Sequence, residues 1–307
     1  MPLPRVPHSF ELYPPRTPTA AAALPAALDV LAGTGPAWFS VTFGAAGSST
    51  DASFDLVRLV AERTRADVMA HLTCAGSSPA EATALVRRFL DAGVHRFLAV
   101  RGDRRDDAAP MDLKSAAELV QLIHRVQAER EPCALHPLPG LPGVQAIGDD
   151  RPRARVAVAA FVNGHPDAPS RTDHLDALLA KQVAGAELAI TQLFFHPDDY
   201  AAFVDRARRW GITMPIVPGV LPVTSPARLR RALQLAGEDE PRNLAIALEI
   251  EPTAEGRREV GIAHATAFAE ALLAAGAPAL HLYTFNRSDA VLEVLQRLGH
   301  VPLEESA

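Results

Sequence analysis

Glu11 lies in the string Ser9-Phe10-Glu11-Leu12-Tyr13, an apolar, β-favouring stretch that stops at Pro14 and Pro15. A carboxyl at the end of an apolar strand can have the raised pKa that a general acid needs. The plainer reading is a structural ion pair with Arg16 or another strand-end cation. Asp103 closes Arg101-Gly102-Asp103. A carboxylate there can stabilise a developing cation or simply cap a turn. Thr42, His71 and Gln192 end further short apolar runs, and Arg287 stands just past the last one. Gln192 could donate and accept at one ligand edge or face solvent, and His71 could be a satisfied core histidine. Polar side chains at the C-terminal ends of successive parallel strands are how a (β/α)8 barrel builds an active site.

The elements that must carry these residues are legible as eight short apolar runs, near 8–13, 37–43, 67–74, 96–103, 155–162, 188–195, 214–221 and 278–285. Their lack of alternation predicts strands buried on both faces, as in a parallel sheet. Helical spacing recurs between them, in Phe54, Val57 and Val60 and in Leu175, Leu178, Leu179 and Val183. Ser78-Pro79-Ala80-Glu81 combines a cap, a first-turn proline and an early acid, and predicts a helix start. Eight such units predict an α/β fold, a single-domain (β/α)8 TIM barrel over residues 1–300 with a disordered tail at 301–307. Two stretches break the rhythm. Residues 129–154 are rich in Pro and Gly and read as a long loop or insertion; residues 237–256 are acidic and read as irregular.

Composition narrows the partners. The 307 residues are 48% hydrophobic, enough for one large core. A formal charge of -6 argues against nucleic acid and anionic membranes as partners. Cys74 and Cys133 form neither a disulfide framework nor a metal spacing, so a reducing cytoplasm is the default. No signal peptide or membrane-length apolar run is present, and the histidines have no zinc spacing. Arginines clustered at 204–210 and 228–231 read as solvated helix faces. Gly44-Ala45-Ala46-Gly47-Ser48-Ser49 would let a ligand approach the backbone, but it is not a dinucleotide fingerprint. Nothing in the sequence sets an oligomeric state.

Seven blocks, in order and one at each of seven expected strand ends, resemble the methylenetetrahydrofolate reductases. They are Ser9-Phe10-Glu11 with Pro14-Pro15-Arg16-Thr17; Ser40-Val41-Thr42-Phe43-Gly44-Ala45; His71-Leu72-Thr73-Cys74; Arg101-Gly102-Asp103; Ile190-Thr191-Gln192 with Phe194-Phe195; Pro218-Gly219-Val220-Leu221-Pro222-Val223; and Tyr283-Thr284-Phe285-Asn286-Arg287. The resemblance implies reduction of 5,10-methylenetetrahydrofolate to 5-methyltetrahydrofolate, with NADH or NADPH as reductant and FAD as the usual family cofactor. It implies that Glu11 protonates N10, and that Asp103, Gln192 and Arg287 hold the substrate, Arg287 at the glutamyl tail or at a cofactor phosphate. It further places Thr42, His71, Arg101, Gly102, Ala116, His165, Ala168 and Lys181 at cofactor-contacting positions.

Departures from the family gather on the flavin side. A tyrosine of the fifth-strand motif is Phe161 here, in Phe161-Val162-Asn163-Gly164-His165-Pro166, and another aligns with Ser115. An aspartate, an asparagine and an arginine that would meet the FAD ribose and phosphates become His174, Ala177 and Ala180, leaving Lys181. A phenylalanine that stacks on ligand is replaced near Pro226. Each lost polar contact is worth about 1–3 kcal/mol. Two modes therefore stand open: hydride through FAD, or hydride passed directly from NADH without tightly bound FAD. A non-catalytic folate-binding or regulatory homologue is a further alternative, and a proline dehydrogenase-like flavoenzyme another.

Overall fold

The computed structural model describes residues 6–43, 50–74, 78–102, 113–130, 134–137, 145–148, 152–164 and 173–300. Its strands are β1 (His8–Leu12), β2 (Trp38–Val41), β3 (Asp67–Thr73), β4 (Arg96–Val100), β5 (Ala134–Pro137), β6 (Gln145–Gly148), β7 (Arg155–Ala160), β8 (Leu188–Thr191), β9 (Ile216–Val217), β10 (Gly219–Val220) and β11 (Leu280–Tyr283). The helices are α1 (Pro18–Ala32), α2 (Thr50–Arg63), α3 (Pro79–Asp91), α4 (Ala116–Ala128), α5 (Asp173–Val183), α6 (Pro197–Arg209), α7 (Pro226–Ala236), α8 (Arg242–Ile250), α9 (Ala254–Ala274) and α10 (Asp289–Arg297).

Nine strands form one sheet in the order β10-β11-β1-β2-β3-β4-β7-β8-β9, parallel throughout. The first and last of that order, β10 and β9, are consecutive in the chain, separated by Pro218 alone. The seventh barrel strand is thus broken in two: β9 bonds β8 and β10 bonds β11, which brings the sheet round to a nearly closed barrel. Proline has no N–H for the ladder, and the break falls where that donor is missing. Each of the eight barrel positions starts within two residues of its expected start.

Inside and outside are sorted by the two-residue period of the strands. One set of positions, including Phe10, Leu12, Phe39, Val41, Ala70, Leu72, Phe97, Leu280 and Leu282, joins the main core with the helices. On the other set, Trp38, Met69, Leu98, Ala157 and Ile190 form a separate apolar cluster, while Ser9, Ser40, His71 and His281 are buried polar residues. Helix starts follow the sequence signals. Ser78 accepts from the Glu81 N–H, and Glu81 returns a bond to the Ser78 N–H, a reciprocal cap for α3. Val183, expected on the buried stripe of α5, is 80% exposed because the helix ends there.

Both irregular stretches hold regular structure, the first as an insertion outside the barrel sheet. Within 129–154, β5 and β6 pair antiparallel as a small separate sheet; its Pro and Gly content masked the short strands. Within 237–256 lies α8, whose Leu244, Ala245 and Leu248 are buried. Acidic residues flank this helix without breaking its apolar spacing. With α7 and the loops after β8 and β10, α8 builds a second small core from Leu193, Phe195, Val223, Leu229 and Leu248. Helix α9 then resumes the ring, between α6 and α10. The expected tail 301–307 lies outside the described residues.

Candidate active site

Three neighbouring strands bring Glu11 into a nest of polar groups. The registers place Ser9 beside His281, Glu11 beside Tyr283 and Glu11 beside Ser40. Glu11 Oε2 lies 3.9 Å from His71 Nε2 and 3.9 Å from His281 Nε2, and its side chain is 23% exposed. The Thr42 hydroxyl is 3.4 Å from Glu11 Oε1 and 3.2 Å from the Leu12 carbonyl, to either of which it can donate. Fully buried His281 is held at both nitrogens, with Ser9 Oγ 2.8 Å from Nδ1 and Ser40 Oγ 3.3 Å from Nε2. His71 Nε2 is buried with no hydrogen-bond partner among the described residues.

Burial alone pushes the Glu11 carboxyl up. The His281 ring, the nearby His71 and the Thr42 hydroxyl outweigh it, and the carboxyl sits below its ordinary value. The raised value expected from the sequence is therefore overturned for the free protein: the strand end is apolar in sequence but polar in space. Burial holds His71 down to about 4 although Glu11 opposes this, so His71 is neutral near pH 7. Burial, then the Glu11 charge, carries the Tyr283 phenol well above its ordinary value. That phenol donates to the Thr191 carbonyl at 3.0 Å. Gly219 makes room for the ring, since a Cβ there would stand 2.5 Å from Tyr283 Cε2 and 2.8 Å from the Thr191 carbonyl oxygen.

The remaining expected residues are placed less uniformly. Gln192 follows β8 and turns its amide oxygen back to accept from the Leu193 N–H at 2.8 Å. Arg101 and Gly102 follow β4, where Gly102 adopts a φ of 80° that suits glycine. Ala116 opens α4 and is buried. Arg287 is exposed and its guanidinium lies 3.4 Å from Asp289. Asp103, His165 and Ala168 lie outside the described residues, as does the run 44–49. Sequence reasoning missed His281 as a site residue, and with it the roles of Ser9, Ser40 and Tyr283. The available signal was the two-residue spacing of polar residues in Ser9/Glu11, Ser40/Thr42 and His281/Tyr283.

FAD would need polar contacts to its ribose and phosphates from the flavin-side positions. Ser115 Oγ caps α4 by accepting from the Glu118 N–H at 3.3 Å. Ala177 and Ala180 present exposed methyl groups, and the His174 ring stacks on Phe203 at 6.0 Å. Lys181 donates to the Ala159 carbonyl at 2.8 Å, so its ammonium is drawn to the barrel wall. Burial, helped by the charge of Arg101, lowers that ammonium to about 8. These described side chains do not supply the ribose and phosphate contacts that the family resemblance leads one to expect. Among the described residues there is no cluster suited to a metal ion, and no helix is long and apolar enough to cross a membrane.

Comparison with known proteins agrees with the geometry. The chain is 30% identical over 299 residues to 5,10-methylenetetrahydrofolate reductase of Pectobacterium carotovorum subsp. carotovorum, covering 97% of this chain and 92% of that protein. It is 29% identical over 315 residues to the maize (Zea mays) methylenetetrahydrofolate reductase (NADH) 1, covering 98% of this chain and 49% of that longer protein. A solved structure of an uncharacterized protein from Clostridium thermocellum, which binds two copies of 5-methyl-5,6,7,8-tetrahydrofolic acid, shares the fold. Its TM-score is 0.63 at 14% identity, with 96% of this chain and 94% of that chain covered. The family described as methylenetetrahydrofolate reductase matches residues 5–299. With its strand-end carboxylate set in a parallel barrel and that match spanning nearly its whole length, the chain belongs to the methylenetetrahydrofolate reductase family, oxidoreductases of folate one-carbon metabolism.

Proposed function

We propose that this protein reduces 5,10-methylenetetrahydrofolate in the cytoplasm by direct hydride transfer from NADH, without tightly bound FAD. The observation that carries the proposal is the contrast between the two sides of the mouth. Glu11, the acid of the folate side, is held among Thr42, His71 and His281; on the flavin side Thr42 and His71 keep their family positions, but Ala177, Ala180 and the wall-bound Lys181 offer no grip on the ribose and phosphates. The maize relative's NADH favours that reductant, and the methylfolate bound by the Clostridium protein fits the same substrate class.

The chemistry follows from the folate side. Glu11, having taken up a proton, donates it to N10; the bond between N10 and the bridging carbon breaks, leaving a cationic iminium at N5. Hydride from the nicotinamide adds to that carbon, giving the N5-methyl group and NAD+. One hydride and one proton are consumed, so charge and atoms balance. Glu11 is ionised in the free protein, so the proton must enter as substrate covers the carboxyl and strips its remaining water, which favours the neutral acid. His71 and His281 flank the carboxylate and Thr42 holds one oxygen, aiming the other. Asp103, by family position, stabilises the iminium charge; Gln192 and Arg287 hold the substrate.

The test is NADH oxidation by protein stripped of flavin, with and without methylenetetrahydrofolate and with and without added FAD. Oxidation that depends on the folate and not on FAD is expected, from a preparation lacking a flavin absorption band. Stoichiometric FAD, or activity that disappears on stripping and returns with FAD, would establish the flavin-mediated ping-pong route instead. Folate binding without turnover would establish a non-catalytic homologue.

A further inference from the structure

Glu11 needs a proton at the moment when substrate closes it off from water, and four side chains stand around or beside it as sources. The Thr42 hydroxyl, 3.4 Å from Oε1, can share a hydrogen bond but does not ionise near neutral pH. The Tyr283 phenol, beside Glu11 in register, is committed to the Thr191 carbonyl at 3.0 Å, and burial, then the Glu11 charge, holds its proton on. His71 and His281 remain, each with Nε2 3.9 Å from Glu11 Oε2. The two imidazoles are equal in distance and opposite in surroundings.

His71 Nε2 is buried with no hydrogen-bond partner among the described residues, so a second N–H on that ring would face no acceptor. Burial holds the ring down to about 4 against the pull of Glu11, and a charge on His281 works against one on His71. His281, fully buried, instead has a hydroxyl at each nitrogen: Ser9 Oγ 2.8 Å from Nδ1 and Ser40 Oγ 3.3 Å from Nε2. Ser9 Oγ can accept from Nδ1–H while its own hydrogen goes to the Leu280 carbonyl at 3.4 Å. Ser40 Oγ and Glu11 Oε2 both face Nε2 as acceptors. The protonated ring is therefore satisfied at both ends, and so is the neutral ring once the Ser40 hydroxyl turns to donate. The groups facing His281 are Ser9 and Glu11 from β1, Ser40 from β2, His71 from β3 and Tyr283 of β11, whose ring lies edge-on at 5.4 Å. Gly219, opposite it on β10, adds no side chain. Among the described residues the ion-pair partners of Glu11 are these two histidines.

We propose that His281 is a positioning residue that holds the proton Glu11 later delivers, with Ser9 fixing the ring for that task. The proposal rests on Glu11 as the acid of folate reduction, whichever route the hydride takes. In register His281 pairs with Ser9, two residues deeper in the barrel than Glu11, so substrate at the mouth does not come between donor and acid. In the free protein the proton sits on Nε2 and the carboxyl is ionised. Substrate removes the water that favours separated charges. The Nε2–H bond then breaks as an O–H bond forms on Glu11 Oε2, and the covered pair changes from two opposite charges to none. The 3.9 Å gap is that of the unliganded site and closes as the site fills, as catalytic contacts do. Glu11 passes the proton to N10. After product leaves, water returns one proton to the pair, the one that each turnover consumes.

The test is the pH profile of kcat for folate-dependent NADH oxidation by the full-length protein and by His281→Gln. Glutamine keeps a donor toward Glu11 but cannot hold a spare proton. Turnover is expected to fall with rising pH sooner in the variant than in wild type. Its deficit should grow from a few-fold near about pH 6 to about 10²-fold near about pH 8.5, the lower end of what a proton donor contributes. Ser9→Ala removes the acceptor at Nδ1 and leaves the ring in place. It should move the fall in the same direction by less, and it carries the test should His281→Gln not fold. His71→Gln should leave the pH of the fall where wild type has it. A deficit equal at every pH, a profile matching wild type, or a shift as large from His71→Gln would overturn the assignment to His281. Wild type that never oxidises NADH in response to methylenetetrahydrofolate would overturn the folate-reduction reading, and the proposal with it.

Discussion

Replacing His281 by phenylalanine tests whether the buried imidazole holds the Glu11 carboxylate. Phenylalanine keeps a flat ring but has no ring nitrogen. Ser40 then loses its 3.3 Å partner and Ser9 its 2.8 Å partner, with only a 3.4 Å contact to the Leu280 carbonyl left to Ser9. A buried hydroxyl left unpaired costs about 1–3 kcal/mol, and two, one partly relieved, come to roughly 3 kcal/mol. For a chain of this size, with about 2 cal/mol/K of unfolding entropy per residue, that lowers Tm by roughly 5 °C. Part of the loss depends on pH. The Glu11 pKa is depressed in the folded state, so the stability it contributes is fully present above its ordinary value of 4.5 and is lost as pH falls through the folded value. Without His281, burial is less opposed and the Glu11 pKa rises. The gap between wild type and His281→Phe should therefore be wider near neutral pH than below the ordinary carboxylate range. His71 titrates in both proteins and largely cancels from the difference. Urea unfolding followed by circular dichroism across pH measures the gap. A gap that stays constant with pH, or a variant as stable as wild type, would refute the link between His281 and Glu11.

Glu11→Gln should retain folate binding and lose at least about 10²-fold in turnover, since an amide cannot donate the proton; near-normal turnover by a folded variant would remove Glu11 from that role. Gly219→Ala should push Tyr283 off the Thr191 carbonyl, destabilising the protein by about 1–3 kcal/mol, the usual cost of overpacking, with weaker folate binding in titration. Asp103→Asn should reduce substrate reduction more than nicotinamide affinity, as separate KM measurements for the two substrates would reveal; equal losses would place Asp103 at the reductant.

Much of the barrel was legible because its signals are local. Strand starts follow from short apolar runs bounded by Gly, Pro and Asp, and Ser78 to Glu81 carries its own cap. Glu11, Thr42 and His71 were legible as strand-end polar residues, and the structure brings them together. His281 was not, because Leu280 and Leu282 disguise it as one residue of an apolar strand. Its partners Ser9 and Ser40 are more than 240 positions away in the chain, joined to it only by register. The direction of the Glu11 shift was lost for the same reason, since burial is local in sequence and the opposing imidazoles are not. The break at Pro218 was visible as a proline, but only the pairing of β9 and β10 with different neighbours gives it meaning. Arg228, taken for part of a solvated arginine face, becomes half-buried because α7 packs against the second small core.

At the far end of the barrel from the mouth, the first strand and the last helix are fastened to one another. The His8 and His300 rings meet edge to face at 4.6 Å; His8 reaches the Thr34 hydroxyl at 2.8 Å, and His300 reaches the Thr34 carbonyl at 2.8 Å. Residues 8 and 300 are thus spatial neighbours across nearly the whole described chain. A short linker from one to the other would cross little space, and new ends could be opened elsewhere on that same floor. Such a circular permutant would keep every strand pairing and leave the loops around Glu11 uncut. Order of synthesis could then be varied independently of the catalytic geometry, because the first and last strands are joined by their own pairing, whatever the order in which the chain is read.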